Sequence, residues 1–199
     1  MTEVIGRRER KKAQTRKALA DAALELFLAR GFDQVGVKEV ADAADVSVTT
    51  LFKHFPGKEA LLFDEEENIE AALVAAVRDR PAGRSIPAAL REHLLAGVHH
   101  ARGARMDEFV RLIESTTALR EYSKRMWLRH ETAVARAIAA EVGAPEDDVA
   151  SAALARFALS ARDLIARAED PRQAAEEIFG LLEHGWQQSG REDPVRQRD

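Results

Sequence analysis

The amino-acid sequence predicts an all-α protein: a small N-terminal three-helix unit followed by a larger helical bundle. Apolar residues recur at three- and four-residue spacing along almost the whole chain. No run of four or more residues alternates between apolar and polar as a half-buried strand would. Hydrophobic residues make up 46% and charged residues 32% of the 199 residues, which is typical of a packed globular protein.

Glycine, proline and capping residues mark the ends of most predicted helices. Gly31 stands where a left-handed residue ends the first helix, and Pro81 ends the long fourth helix. Ser47 and Ser85 are suitable N-caps, because a serine hydroxyl accepts a hydrogen bond from a free backbone N–H. Asp170, followed by a proline, opens the last helix. We therefore expect helices over about 10–30, 37–44, 47–55, 58–80, 86–102, 106–116, 118–142, 147–167 and 171–188.

Several functional classes are excluded or disfavoured by what the sequence lacks. There is no cysteine, which excludes disulfides, thiolate chemistry and zinc sites of the Cys type. The longest aliphatic run, AALVAAV at 71–77, is much too short to cross a bilayer, and MTEVIGRRERKK has no apolar core of signal-peptide length. We expect a cytoplasmic protein with no membrane partner.

The charge distribution is asymmetric along the chain. Residues 1–58 hold 11 Lys/Arg against 8 Asp/Glu, whereas residues 59–199 hold 19 against 26. Seven basic side chains and one acid fall within 7–17, RRERKKAQTRK. A basic arm on an otherwise acidic protein favours a polyanionic partner at that end, although a solvated, disordered tail would have the same composition.

The second and third predicted helices form a helix-turn-helix pattern. They are short and joined by only four residues, Ala44-Asp45-Val46-Ser47. In the third helix Leu51 and Phe55 point inward one turn apart, which leaves an outer face of hydrogen-bonding side chains. A short helix with such a face fits the major groove of DNA, where its N-terminal residues reach base edges and flanking elements hold phosphates.

The stretch FLARGFDQVGVKEVADAADVSVTTLFKHFPGKEALL resembles the DNA-binding domain of TetR-type transcriptional regulators, and the resemblance covers about residues 10–63. It implies a DNA-binding domain with its basic arm over 1–57, an effector-binding and dimerisation domain over 58–190, and a polar tail over 191–199. The implied function is a ligand-responsive repressor that binds a palindromic operator in double-stranded DNA as a homodimer.

Four positions depart from the family pattern. Gly36 stands where the family usually has a threonine that caps the second helix and contacts phosphate. Asp45 replaces the usual turn glycine, which aspartate can do because it tolerates the left-handed conformation. Phe52 replaces a tyrosine and so can make only an apolar contact. Thr49, where glycine is frequent, adds a side chain at a base-facing position.

The resemblance also implies the residues that contact DNA. Val48, Thr49 and Thr50 are the expected base readers, and Lys53 and His54 are expected near the backbone. Lys58 opens the predicted fourth helix, whose free N–H groups suit a phosphate. Arg16, Lys17 and the arm before them would add phosphate or minor-groove contacts. The full predicted set is Arg16, Lys17, Ser47, Val48, Thr49, Thr50, Phe52, Lys53, His54 and Lys58.

The larger domain is expected to bind an effector and to dimerise. The family uses its last two long helices, here about 147–167 and 171–188, to pack against a second copy. A mostly apolar pocket between the fourth and seventh helices would suit a small fatty or aromatic effector. The stretch ALLFDEEENIEAALVAAV also resembles the branch of the family that includes mycofactocin-linked regulators, which respond to long-chain acyl-coenzyme A. The candidate pocket residues are Phe63, Leu73, Phe109, Ile113, Tyr122, Met126 and Trp127.

Catalytic and metal-binding patterns are missing from the sequence. It has no glycine-rich phosphate loop, no G-x-S-x-G elbow, no H-E-x-x-H and no C-x-x-C. His93 and His100 could share a helix face, but no further ligand completes a metal site. We expect no enzyme activity, metal or cofactor. The alternative to a DNA-binding regulator is a helical protein that binds a small molecule or acyl-CoA-like lipid, or that interacts with a membrane or protein, without specific DNA binding.

Overall fold

A computed structural model describes residues 6–100 and 104–188. These residues form α-helices joined by short loops, with one 3₁₀ helix and no strand, which confirms the predicted all-α class. The predicted tail over 191–199 and residues 1–5 of the arm lie outside the described residues. The helices are α1 (Arg7–Arg30), α2 (Val37–Ala43), α3 (Val48–His54), α4 (Glu66–Arg78), α5 (Ile86–His100), α6 (Ala104–Ser115), α7 (Thr117–Val142), α8 (Val149–Arg167) and α9 (Pro171–Gln188), and the 3₁₀ helix covers Glu59–Leu62.

The predicted fourth helix over 58–80 is wrong at its N-terminal end. The structure has the 3₁₀ helix first, then a break, and α4 begins only at Glu66. The Leu61 N–H donates to the Lys58 carbonyl at 3.3 Å and the Phe63 N–H donates to the Ala60 carbonyl at 3.1 Å, which is the three-residue spacing of a 3₁₀ turn. This turn buries Ala60, Leu61 and Leu62, and α-helical hydrogen bonding therefore does not run from Lys58 into α4.

The basic stretch is also more regular than predicted. Helix α1 begins at Arg7 rather than near residue 10, so all seven basic side chains of 7–17 stand on one continuous helix. Gly31 ends that helix with a positive φ of 85°, and its N–H donates to the Phe27 carbonyl at 2.8 Å, as expected for a glycine cap.

The described residues divide into two compact units. The first contains 6–66 together with 104–124, and the second contains 67–100 together with 125–188. The sequence-based boundary after residue 57 assigned 104–124 to the second domain, whereas its contacts group it with α1–α3. Compact units need not coincide with functional domains, so the domain assignment stays a prediction.

The core of the first unit joins α1, α2, α3 and the 3₁₀ helix with α6 and the start of α7. The predicted inward residues Leu51 and Phe55 are buried here. Phe27 and Phe32 pack edge to face with ring centroids 5.0 Å apart. The principal buried residues are Leu19, Ala23, Phe27, Phe32, Val35, Val40, Ala41, Leu51, Phe55, Leu61 and Leu119.

The core of the second unit is built from α4, α5, α8, α9 and the C-terminal part of α7. Arg80 and Glu141 form an ion pair at 2.7 Å that is almost completely shielded from solvent. Asp148 caps α8 by accepting from the Ser151 N–H at 2.8 Å. The principal buried residues are Leu73, Val77, Ile86, Leu90, Val134, Ile138, Leu154, Ala158, Leu159, Ile165, Ala175 and Phe179.

Candidate nucleic-acid interface

The turn between α2 and α3 has the conformation that its sequence predicts. Asp45 has a φ of 52°, in the left-handed region that aspartate tolerates better than most residues. The turn is fixed by backbone hydrogen bonds: the Val46 N–H donates to the Ala41 carbonyl at 2.9 Å, and the Ala44 N–H donates to the Val40 carbonyl at 3.1 Å. These contacts set the direction in which α3 leaves α2.

Helix α3 is held at its N-terminus by Ser47. The Ser47 hydroxyl accepts from the Thr50 N–H at 3.1 Å, which confirms it as the N-cap. It also lies 2.9 Å from the Thr50 hydroxyl. Two of the predicted DNA-contacting hydroxyls are therefore engaged with each other, and the Thr49 hydroxyl has no comparable local role.

The outer face of α3 combines an apolar ring with polar side chains. Thr49, Phe52 and Lys53 are exposed, and Phe52 leaves 51% of its surface in solvent. Val48 and Thr50 are half-buried. A helix of seven residues with buried Leu51 beneath it can present these side chains to a groove while its backbone stays anchored.

His54 does not add positive charge to this surface at neutral pH. Partial burial is the main cause that lowers the pKa of its imidazole, and the nearby cations Arg16 and Lys12 lower it further. The ring therefore remains neutral at pH 7, where it can donate or accept a hydrogen bond but contributes no ionic attraction to a phosphate.

Arg16 has an internal role that the sequence did not reveal. Its guanidinium donates to the His54 carbonyl at 2.8 Å and to the Asp64 carbonyl at 3.0 Å, and it lies 4.5 Å from the centre of the Phe55 ring. These contacts tie the C-terminal end of α3 to the break before α4. Arg16 is thus placed to position α3. The two N–H donors that form these hydrogen bonds are not free to bind a phosphate.

Lys17 and Lys58, which were also predicted to contact phosphate, have different environments. Lys17 is exposed and pairs with Asp21 one turn along α1, a hydrogen bond that raises the pKa of its ammonium. Lys58 turns inward, donates to the Phe32 carbonyl and lies 4.0 Å from the centre of that ring. Desolvation is the main cause that lowers the Lys58 pKa. Since α4 begins at Glu66 and not at Lys58, Lys58 does not lie at the N-terminus of an α-helix that could bind a phosphate.

The start of α2 compensates for the missing threonine at Gly36. The Gly36 N–H donates to the Glu39 carboxylate at 2.8 Å, and the same carboxylate pairs with Arg30 at 2.6 Å. This is half of a capping box, with the glutamate three residues after the cap position. Neither Arg30 nor Glu39 was predicted from the sequence, although the three-residue spacing from Gly36 to Glu39 is the signal of a capping box.

The predicted pocket residues fall into both compact units. In the first unit Phe63 stacks on Tyr122 with ring centroids 5.0 Å apart, contacts Phe109 edge to face, and is joined by half-buried Ile113. In the second unit Leu73 belongs to the core, Met126 is buried, and Trp127 is partly buried. Their role in ligand binding stays a prediction.

An open groove of about 670 Å³ lies elsewhere in the first unit, between α1 and α6. None of the predicted pocket residues lines it. Its walls are Phe27, Leu28, Gly31, Glu108, Arg111, Leu112, Glu114 and Ser115.

Helices α8 and α9 expose large apolar side chains. Phe157 leaves 58% and Leu164 leaves 64% of their surface in solvent, and they stand seven residues apart on one side of α8. Val149 on α8 and Leu181 on α9 are more exposed still. Large exposed apolar side chains this close together on one helix are typical of surfaces that other proteins cover.

Neither metal binding nor membrane insertion gains support from the described residues. No three histidine or acidic side chains converge there to hold a metal ion. None of the helices within 6–100 and 104–188 is long and apolar enough to cross a membrane. Of the candidate histidines, His93 is half-buried, whereas the side chain of His100 lies outside the described set.

These features define a helix-turn-helix DNA-binding protein, and comparisons with known proteins agree. A family model of bacterial regulatory proteins, tetR family, matches residues 19–64. The chain is 36% identical over 154 residues to the HTH-type transcriptional regulator TcmR of Streptomyces glaucescens, covering 72% of this chain and 67% of that protein. It is 28% identical over 141 residues to a candidate mycofactocin biosynthesis transcriptional regulator, MftR of Mycobacterium tuberculosis, covering 70% and 71%.

Solved structures share the same fold. A TetR-family regulator of Streptomyces coelicolor superposes with a TM-score of 0.63 at 21% identity, over 86% of this chain and 94% of that one. The TetR family repressor AlkX from Dietzia superposes with a TM-score of 0.57 at 21% identity, over 86% and 97%. The chain belongs to the TetR family of transcriptional regulators, and the relatives named here are regulators rather than enzymes.

Proposed function

We propose that this protein represses transcription as a homodimer that binds a palindromic operator and releases it when a small apolar effector binds. The observation that supports DNA recognition best is the outer face of α3. Thr49, Phe52 and Lys53 are exposed there on a helix fixed by its own cap and by buried Leu51. Threonine can contact a base edge or a thymine methyl, and an exposed phenyl ring can contact that methyl as well.

Phosphate binding is assigned to the basic helix rather than to every basic residue of the predicted set. Arg7, Arg8, Arg10, Lys11 and Lys12 are exposed on the first turns of α1. Neutralising phosphates releases counterions, so these side chains should give affinity that depends on salt and not on sequence. Arg16 and Lys58 instead stabilise the structure of the first unit, because their charged groups donate to backbone carbonyls of that unit.

Dimerisation is assigned to α8 and α9. Burying one large apolar side chain stabilises an interface by about 1.5–3 kcal/mol, so covering Val149, Phe157, Leu164 and Leu181 on two copies would give a stable dimer. A two-fold dimer places two identical recognition helices, which explains why a palindrome is the expected operator. The effector then acts by binding the DNA-incompetent state more tightly than the DNA-bound state.

One experiment tests DNA recognition and symmetry together. Full-length protein is used to select duplexes from a random library, and the enriched sites are footprinted. We expect an inverted repeat with half-sites about one helical turn apart, bound by a species of twice the 22.0 kDa chain mass in light scattering. Enrichment of no sequence, with the protein still folded, would contradict the proposal and favour a ligand-binding role without specific DNA recognition.

A further inference from the structure

A buried histidine in the second unit has one ring nitrogen paired and the other unpaired. His130 on α7 is fully buried, and its Nδ1 lies 3.0 Å from the carboxylate of Glu70 on α4. Its Nε2 is also buried and has no hydrogen-bond partner among the described residues. A buried polar atom without a partner costs on the order of 1–3 kcal/mol, so its presence in a fold requires an explanation.

A second unpaired polar atom lies beside the same aromatic ring. The guanidinium of Arg162 on α8 stacks over Trp127 at 3.6 Å from the ring centre, and His130 meets that ring edge-on at 5.2 Å. One terminal nitrogen of Arg162, Nη1, is buried with no hydrogen-bond partner within 6–100 and 104–188, while Nε and Nη2 donate to Asp163. Two unpaired polar atoms in the described residues thus belong to side chains that both contact Trp127.

The chemistry of the two atoms is complementary. The imidazole tautomer with its hydrogen on Nδ1 can donate to the Glu70 carboxylate, and this tautomer presents a lone pair at Nε2. Arg162 Nη1 can only donate. A group that satisfies both atoms offers a hydrogen-bond donor to the imidazole and an accepting oxygen to the guanidinium. A carboxylic acid has both, and unlike an amide it can also form a charge-assisted pair with the guanidinium.

We propose that His130 and Arg162 form the polar end of the effector site and bind the carboxyl group of an apolar organic acid. Glu70 orients the imidazole, and Trp127, one of the predicted pocket residues, supplies an aromatic wall. The inference rests on the proposed ligand-responsive function and specifies the chemistry of the effector. It places the ligand against α4, α7 and α8 within one compact unit.

The first test is direct binding to the full-length wild-type protein in the absence of DNA. Two matched pairs of probes are titrated by calorimetry: octanoic acid with octanamide, and 2-naphthoic acid with 2-naphthamide. Each amide keeps the apolar body but replaces the acidic O–H. We expect at least one acid to bind saturably below about 1 mM and its amide to bind at least about tenfold more weakly. An acid that binds no better than its amide, or the absence of saturable binding by both acids, overturns the proposal.

The second test assigns the site to Arg162. Arg162→Gln should weaken binding of the acid by at least about tenfold and leave binding of the amide unchanged. The reason is that glutamine has a side chain of similar length but lacks the charged donor. The matched control is Arg156→Gln, on the same helix, where the arginine is exposed and pairs with Glu131. Equal acid affinity in the two variants would refute the assignment and indicate that a buried water satisfies Nη1.

A spectroscopic measurement keeps the inference testable if the Arg162→Gln variant does not fold. In a Trp186→Phe background Trp127 is the one remaining tryptophan, so its fluorescence reports the site alone. Octanoic acid should change that emission with the affinity found by calorimetry, and an unchanged emission would place the acid elsewhere. Operator binding is measured separately on the same sample, so loss of acid binding with DNA binding intact rejects this inference without rejecting a DNA-binding function.

Discussion

The outer faces of α3 and α8 are both exposed, and they differ in chemistry. On α3 the exposed side chains are Thr49, Phe52 and Lys53, so an apolar ring stands between hydrogen-bonding groups. On α8 the exposed large hydrophobic side chains are Val149, Phe157 and Leu164, and the exposed Arg156 and Ser160 lie beside them. The first face can exchange water for hydrogen bonds to a polar groove, whereas the large apolar side chains of the second gain by excluding water.

This difference shows that exposure alone does not identify a partner. What distinguishes the two faces is whether their exposed groups can form hydrogen bonds with polar atoms on the surface of the partner. A DNA groove presents donors, acceptors and phosphates, and a second copy of an apolar stripe presents none. Substitutions that exchange the chemistry of the faces therefore should affect different measurements.

The largest expected effect is loss of the dimer. Replacing Phe157 and Leu164 together by glutamate would put four like charges in a two-fold interface and remove its largest apolar groups. We expect the dissociation constant of the dimer to rise by more than about 100-fold, as two apolar anchors of about 1.5–3 kcal/mol are lost. Analytical ultracentrifugation across protein concentration measures this directly.

The control for that prediction is Ala166→Glu. Ala166 is exposed on the same helix but points about 180° from Phe157, since nine residues separate them at 100° each. It should leave the dimer intact. If Ala166→Glu dissociates the protein as strongly as the double variant, the apolar stripe is not the interface.

The next prediction concerns Arg16 and distinguishes a role in positioning α3 from a direct contact with phosphate. Arg16→Gln removes two hydrogen bonds from a charged donor to the carbonyls of His54 and Asp64. We expect the protein to lose about 2–4 kcal/mol of unfolding free energy and to bind every DNA sequence more weakly. Lys17→Gln, next along the chain but exposed, should change the salt dependence of binding and leave thermal stability unchanged. If Arg16→Gln leaves the unfolding free energy unchanged and lowers only the salt dependence of DNA binding, Arg16 is a phosphate contact and not a positioning residue.

A smaller effect tests whether α3 reads bases through Thr49. Thr49→Ala removes the exposed hydroxyl and favours the helix, so it should relax preference at one symmetric pair of operator positions by about 1–2 kcal/mol. Lys53→Ala should instead weaken all sequences alike and lower the salt slope by about one unit. An operator library measured at two salt concentrations distinguishes them. Unchanged base preferences in Thr49→Ala would exclude it as a reader.

The smallest effect is expected at the start of α2. Gly36 has an extended backbone with a φ of −86°, and a Cβ there would meet the Glu39 carboxylate at 3.6 Å, an ordinary contact. Gly36→Ser should complete the capping box and raise stability by a few tenths of a kcal/mol, or about 1 °C in the unfolding midpoint. Gly36→Ala, with a Cβ but no hydroxyl, is the control and should not produce the gain; equal midpoints for the two variants would mean that the hydroxyl does not cap α2.

Local signals predicted most of the DNA-binding unit. The cap at Ser47, the left-handed Asp45 and the buried pair Leu51 and Phe55 each depend on a few neighbouring residues, so the sequence contains the information needed. The cap at Asp170 is local too: its carboxylate accepts from the Arg172 N–H at 2.9 Å and from the Gln173 N–H at 3.1 Å.

Long-range contacts account for what the sequence did not reveal. Arg16 binds carbonyls 38 and 48 residues away, and a backbone carbonyl has no residue-specific signature in a sequence. Glu70 and His130 pair across 60 residues and were not linked by any local spacing. The 3₁₀ helix escaped prediction because its Ala-Leu-Leu run is equally compatible with the α-helix that follows it.

The first unit is assembled from two separate segments, and this has a consequence for biosynthesis. Leu119 is fully buried in the core of the unit, and Phe109 and Leu112 pack against that core. A ribosome releases α1–α3 well before it has synthesised these residues, and closing such a loop carries an entropic cost that local helix formation does not offset. A nascent chain of 66 residues would therefore expose part of the apolar surface that α6 and α7 later cover, and the DNA-binding helices would complete their core only after residue 124 has left the exit tunnel.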